Sequence, residues 1–502
     1  MSRAPVTKSA VRTIGVALAL ALGAWSGGAL GKDTVVIGQQ QEPPVLDPTA
    51  DATAVIDTIM TGAVFETLTA IDETSTVVAS LAKSWRVSED GLVYTFTLQA
   101  GVKYTDGNAL DSSSVKFSFE RAMAPDSTNP TKGIFKPIAG IETPDPHTVV
   151  IKLSSPDNLF LFHMSRGDAA IVHPATAENN RTKPVGSGPY MLKEWVKGDR
   201  VVLSRNDGWR DAKSVKMKEL TFKFLADPAA SIAALLAGDL DAFPTITAVE
   251  SLDQFKKDPR FVVGVGLTEG EVVLALNNKR KPFDDVRVRR AIAHALDRKS
   301  IVDGAMFGYG TPIGSFFPPH HPAYIDLTGS FPYDIAKAKA LMAEAGLKDG
   351  AEVTLQPPPF PYAKRSAEIV AQQLGAIGLK VKIQNVEWPF WIAEVFRKGQ
   401  YDMTIVAHVE PNDFNNFGRG KDYYWGYQDP AMDELLTKIR TEPDQRKIAG
   451  LLGDFQRKAA DDAVMGYLFQ LAQTGVYRKG LKGYWMSSPG GATTPWNNLS
   501  WE

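Results

Sequence analysis

The sequence predicts an α/β protein built from more than one domain. Two observations carry this. Strand and helix patterns alternate from residue 350 to residue 406, as expected for a mostly parallel sheet. Removing an N-terminal leader still leaves roughly 470 residues, more than one hydrophobic core usually serves.

In the alternating region, Glu352 to Leu355 reads as a strand. A helix follows the proline cluster, with Val370, Leu374 and Ile377 aligned and Gly378 as its stop. Lys380 to Val386 is the next strand, a helix lies near Trp391 to Phe396, and Tyr401 to Val406 closes the unit. Elsewhere the elements announce themselves by chemistry. Asp111 with serines 112 to 114 can cap a helix from about Val115 to Met123. Asp227-Pro228 starts a helix that Gly238 ends, because aspartate accepts an orphan N–H and proline suits the first helical position. Asp285 precedes a helix whose Val288, Ala291, Ile292, Ala295 and Leu296 form one apolar stripe, leaving Arg287, Arg289, Arg290 and His294 off it. Asp334 caps another. Thr34 to Ile37, Leu92 to Leu98 and Thr148 to Leu153 read as strands.

The first residues are expected to lie outside the fold. Arg3, Lys8 and Arg12 are followed by the apolar run Ile14 to Leu22 and then by Gly27, Gly28, Ala29 and Gly31, the order of a secretory signal peptide. Cleavage is expected after Gly31, giving residues 1–31 as the leader; the other reading is a retained N-terminal anchor helix. No later stretch is apolar enough to cross a membrane. The chain has no cysteine, hence no disulfide, no thiolate metal site and no lipidated cysteine at the cut. A free, non-lipidated periplasmic protein fits these facts. The formal charge of -2 and the lack of like-charge blocks give nucleic-acid binding no support.

Enzyme signatures are missing. The sequence has no Gly-x-Ser-x-Gly, His-Glu-x-x-His, phosphate loop or Gly-x-Gly-x-x-Gly. Ser80–Lys83 and Ser113–Lys116 match Ser-x-x-Lys without the Lys-Thr-Gly a penicillin-recognising enzyme needs. His320-His321 is the one adjacent histidine pair among 7, reads as a solvated loop and sets no metal site. Catalytic residues, metal and cofactor are all expected to be none.

Several segments, collinear from about residue 35 to residue 480, carry a family resemblance. They include Val64-Phe65-Glu66-Thr67-Leu68-Thr69, Leu81-Ala82-Lys83-Ser84-Trp85, Glu89 to Phe96, and Gly101 to Gly107. Further on come Val185-Gly186-Ser187-Gly188-Pro189-Tyr190, Ala237 to Asp241, Pro282 to Ile292, Asp334 to Ala338, and Tyr427 to Asp433. Together they resemble the dipeptide/oligopeptide-type solute-binding proteins of ABC importers, family 5. The resemblance implies a two-lobe periplasmic-binding-protein clamshell with mixed sheets, hinge crossovers and an extra subdomain inserted in the first lobe. Lobe 1 is then 32–70, 186–272 and 476–502; the insert is 71–185; lobe 2 is 273–475. It also implies a ligand taken between the lobes, permease subunits as partners and a monomeric chain.

In peptide-binding members of that family an acidic residue in an Asp-Pro-Asp-like loop holds the ligand ammonium. Glu410, Asn412 and Asp413 fall where that loop lies, although Glu410 and Asn412 can equally make a turn with Pro411. An arginine before Pro-Tyr often grips the ligand carboxylate; here Phe360 stands in its place. Aromatics gather nearby, and Trp388, Phe414 and Trp425 are the expected cleft residues. Glu42, on the loop after the first strand, is expected at the cleft mouth. A small organic solute, a peptide or other amine-bearing compound, is the predicted ligand. Alternatives are a sugar, opine or metal complex on the same scaffold, a secreted hydrolase, or a signalling receptor domain.

Overall fold

The computed structural model describes residues 1, 32–347, 350–442, 444–488 and 495–502. Residues 33–502 form the compact unit considered below; the leader lies outside the described residues.

Two mixed sheets organise two lobes. The first lobe has seven strands: Thr34–Gln39, Tyr190–Val196, Arg200–Arg205, Glu219–Phe224, Ala242–Phe243, Phe261–Gly266 and Gln473–Arg478. Thr34–Gln39 sits near its middle, parallel to Glu219–Phe224 and to Ala242–Phe243. The second lobe has six strands: Glu271–Leu276, Gly310–Pro312, Ala351–Leu355, Leu379–Ile383, Met403–His408 and Met465–Leu471. Ala351–Leu355 pairs in parallel with both Leu379–Ile383 and Met403–His408, as the strand–helix alternation predicts. A separate four-stranded antiparallel sheet, within residues 82–153, makes a third layer.

The helices follow their caps. Asp227 accepts from Ala230 N, and the helix Pro228–Ala237 ends at Gly238 with φ 89°. Asp111, Asp285, Asp334 and Asp429 cap their helices in the same way. The helix Val286–Ala295 departs from expectation. Arg289 and His294, expected off the apolar stripe, are buried. Arg289 donates to the carbonyls of Phe283, Asp462 and Ala463, and Arg290 donates to that of Asp461. The two guanidinia therefore tie off the C-terminal end of the helix Gln445–Asp461, where carbonyls lack intrahelical partners.

Some of the motifs that carried the resemblance hold the lobe together. The Val-Gly-Ser-Gly-Pro-Tyr segment crosses residues 63–64 so closely that a Cβ on Gly186 would lie 1.9 Å from the Val64 carbonyl oxygen. Ser187 donates to Glu66, and Arg210 grips the same carboxylate through two bonds of 2.9 and 2.6 Å. Glu66 is 5% exposed. Arg210→Ala would leave that carboxylate buried with one neutral donor. We expect it to lower stability by about 2–4 kcal/mol, measured by urea unfolding followed by circular dichroism. An unchanged midpoint would show the pair contributes nothing net.

Candidate functional site

The C-terminal ends of parallel strands are where open α/β sheets bind ligands. In the second lobe three such ends converge. Ala351–Leu355 leads into the turn that carries Phe360, Leu379–Ile383 leads to Trp388, and Met403–His408 leads to Val409, Glu410 and Asn412. Phe360, Trp388, Phe390 and Val409 are exposed by 36%, 39%, 43% and 54%, a concentration of free apolar surface on one edge. The rings are held in place from beneath. Trp388 stacks on Trp391 at 4.9 Å, and Phe360 lies 5.1 Å from Trp388 and 5.8 Å from Tyr362. The Trp391 indole donates to Thr404 and the Ala407 amide donates to the Tyr362 hydroxyl, so both supports are anchored to the strand Met403–His408.

In the first lobe the parallel strands Thr34–Gln39 and Ala242–Phe243 end side by side. Gln40, Phe243, Ile246 and Thr247 line a small recess there with Pro228 and Ser231 from the adjoining helix. Several polar contacts among the described residues join the lobes. Glu250 pairs with Arg365 at 3.4 Å, Asn158 Nδ2 donates to the Ile439 carbonyl at 2.5 Å, and Arg166 pairs with Glu410 at 3.3 Å.

Arg166 stands in a carboxylate-rich corner. It also pairs with Asp168 at 3.2 Å, and Gly167 packs directly on the Asp57 carboxyl. Burial, and then the nearby Asp168 charge, push Asp57 up to about 6. Burial lowers His163, whose Nδ1 has no partner. Burial opposes the Arg166 charge, but Asp168 and Glu410 outweigh it and hold the guanidinium firmly ionised. None of Asp57, Arg166 or Asp168 was singled out from the sequence, since each sits in a segment with no strong pattern.

The expected site residues divide. Glu410 and Trp388 lie at the strand ends, partly free. Asn412 adopts a left-handed conformation, φ 64°, and its carbonyl accepts from Asn415, which turns the chain into the 3-10 segment Asp413–Asp422. Asp413 faces inward: it pairs with His408 Nδ1 at 2.9 Å and accepts from Asn416. Glu42 is half-buried and accepts from the Trp195 indole and the Gly198 amide, which pins its loop to the first lobe's hairpin. Phe414 and Trp425 are corrected to core positions. They are 4% and 0% exposed and pack with Phe316, Phe317, Phe417 and Phe455, because this face of the six-stranded sheet is covered by a second aromatic layer. The His320-His321 loop is corrected as well. His320 Nε2 lies 2.7 Å from Glu269, and burial lowers His321 to about 4.

The family described as bacterial extracellular solute-binding proteins, family 5, middle region, matches residues 76–418. The chain belongs to this family. It is a solute-binding protein of the kind that serves ABC importers. The glutathione-binding protein GsiB of Salmonella paratyphi A is 32% identical over 383 residues, covering 75% of this chain and 74% of that protein. The periplasmic binding protein AgaA of A. tumefaciens, solved with agropinic acid, superposes with a TM-score of 0.77 at 26% identity, covering 93% of this chain and 99% of AgaA. The substrate-binding protein CtaP of Listeria monocytogenes shares the fold, with a TM-score of 0.84 at 22% identity over 94% of this chain and 99% of that one. Among the described residues no helix is long and apolar enough to cross a membrane.

Asp57 sets a pH dependence whose sign can be worked out. Its folded value of about 6 lies above the ordinary 3.8, so between these values the folded chain binds more protons than the unfolded one. This group's contribution is fully present at low pH and is lost as pH rises through 4 to 6. The full shift corresponds to roughly 3 kcal/mol, reduced to roughly 1–2 kcal/mol because the side chain is partly accessible. Asp57→Asn keeps the acceptor for Thr61 and removes the charge. Urea unfolding should find this variant more stable than wild type at pH 7.5, with the gap closing near pH 4.5. Parallel curves at both pH values would contradict the assignment.

Proposed function

We propose that this family 5 receptor captures a small amine-bearing organic solute, a peptide or a close analogue, between its lobes. It passes the solute unchanged to the permease subunits of an ABC importer. The observation that carries the reading is the aromatic shelf of Phe360 and Trp388 beside Glu410, at the strand ends that face the other lobe. Rigid rings with few polar groups suit a ligand desolvated between two surfaces. The name of GsiB, a glutathione-binding protein, and the agropinic acid held by AgaA support a small polar organic ligand. Phe360 occupies the place where related receptors often carry an arginine, which favours a ligand with no free carboxylate at that end.

We place lobe 1 at 32–70, 186–272 and 476–502, the insert at 71–185 and lobe 2 at 273–475. The strand Gln473–Arg478, which pairs within the seven-stranded sheet, supports drawing the last boundary a few residues earlier than 476. The mature chain begins at Lys32, is not lipidated, resides in the periplasm, acts as a monomer and carries out no catalysis on its ligand. N-terminal sequencing of the exported protein tests the first of these.

Native mass spectrometry of protein purified without denaturation should show one chain plus the mass of a bound solute, lost on mild unfolding. The mass itself separates a peptide from an opine or a sugar. Trp388→Ala should weaken that solute by about 10- to 100-fold, a loss of about 1–3 kcal/mol, with the unliganded melting temperature unchanged. Unaltered affinity would remove the shelf from the binding site.

A further inference from the structure

One short stretch of the inserted subdomain reaches the second lobe twice. Asn158 Nδ2 donates to the Ile439 carbonyl, and Arg166 Nη2 donates to Glu410 Oε2 at 3.3 Å. The stretch is fastened to its own subdomain, where Asn129 Nδ2 donates to the Asp168 carbonyl at 2.8 Å. The Arg166 guanidinium is a bridge. Its Nε is given to Asp168 at 3.2 Å on the near side of the boundary, and its Nη2 to Glu410 on the far side. The Asp168 side chain is 5% exposed and that of Glu410 63%, so the first bond is fixed and the second is the one that yields.

A third carboxyl lies against this bridge. Asp57, on the helix Ala54–Met60 of the first lobe, accepts from Thr61 at 2.8 Å. A Cβ on Gly167 would lie 1.7 Å from Asp57 Oδ1, so the backbone between Arg166 and Asp168 rests directly on that carboxyl. One guanidinium is therefore set against carboxyls from the first lobe, the insert and the second lobe. We propose that residues 158–168 form a clasp which the insert closes on the second lobe, and that a proton taken up by Asp57 tightens it. The clasp acts on the lobes themselves, so it stands apart from the class of ligand they enclose.

The direction of the effect follows from charge. With Asp57 ionised, Arg166 is shared by three carboxylates, and Glu410 is repelled by the other two. With Asp57 neutral, Arg166 serves Asp168 and Glu410 alone. Linkage gives the same sign. Burial and then Asp168 raise Asp57 to about 6, Thr61 and Arg166 pull it down, and Glu410 raises it again from across the boundary. Removing Glu410 as the lobes part weakens proton binding at Asp57, so a proton on Asp57 favours the state in which Glu410 is near. The clasp is tighter below pH 6 and looser above it. His163, on the short helix Phe160–His163, also faces this corner; burial lowers its value and Asp157 opposes that.

The chain has no cysteine, so Glu120→Cys in the insert and Lys438→Cys in the second lobe give two defined positions for spin labels, both on exposed helix faces. Double electron–electron resonance on the whole protein without added ligand, frozen from pH 7.5 and from pH 5, reads the separation of the lobes. The ratio of short to long distances should rise about 2- to 5-fold at pH 5, the worth of one partly exposed ion pair. Asp57→Asn should hold the higher ratio at both pH values, and Glu410→Gln should abolish the response. Circular dichroism at both pH values checks that each variant is folded. A wild-type distribution that ignores pH overturns the clasp. A response that survives in Asp57→Asn overturns it too, and assigns the proton to His163.

Discussion

Everything in this molecule depends on how the chain passes between its two sheets. It does so at residues 267–270 and again at Ala472, and the two passages are bonded to each other. Thr268 Oγ1 donates to the Leu471 carbonyl at 2.6 Å, Leu471 N to the Gly270 carbonyl at 2.7 Å, and Gln470 to the Thr268 carbonyl. Because these bonds lie within the crossing, the lobes can change their angle only through it. The apolar core beside the crossing is shared, with Phe243, Phe255 and Phe261 of the first lobe packed among Val272, Leu274 and Leu276 of the second. Beside this core lie Glu250–Arg365 and the Lys256 ammonium over the Tyr309 ring, and the inserted subdomain meets the second lobe through the polar contacts Asn158–Ile439 and Arg166–Glu410. A dry joint with wet contacts beyond it is the mechanical requirement for a jaw.

The wet edge is electrostatically unbalanced. Asp57, Asp168 and Glu410 surround one guanidinium, and Asp57 answers by holding its proton, its value pushed up to about 6 by burial and then by the Asp168 charge. Only Glu410 belongs to the second lobe, so a single ion pair with Arg166 spans this edge, and ion pairs near the surface stabilise weakly.

Much of this was legible in the sequence, and the reasons are local. Aspartate before proline, glycine at a helix end and strand–helix alternation report backbone chemistry that tertiary contacts do not overrule, and the helix Pro228–Ala237 begins and ends where Asp227 and Gly238 require. What tertiary packing decides was not legible. Arg289 reads as a solvent residue on a helical wheel, yet the nearby end of another helix, with its unpaired carbonyls, makes a buried guanidinium favourable. Phe414 and Trp425 have the composition of a ligand shelf, and only the second aromatic layer shows that their rings are already covered. Trp388, with Phe360 beside it, stays partly exposed because it sits at a strand end, stacked on the rim of that layer at Trp391 rather than inside it.

Glu271 is the case where the sequence held a signal that composition alone obscures. A strand of Val-Val-Leu-Ala-Leu tolerates no charge in its interior, and a carboxyl at its first position reads as an ordinary strand start facing water. The parity of the strand says otherwise. Position 271 shares its face with 273 and 275, which are both fully buried, so a side chain there must enter the core unless the chain bends away. The chain cannot bend away, because the crossover bonds at Gly270 and Leu471 fix its direction. A polar group forced inward by the hinge must be made neutral or paired, and burial, then Glu269 and Asp413, hold the Glu271 carboxyl well above the usual carboxylate range, so that it keeps a proton it can offer to Gln470 in register beside it. The bonds that join the lobes therefore also force a neutral carboxyl into the sheet beside the joint.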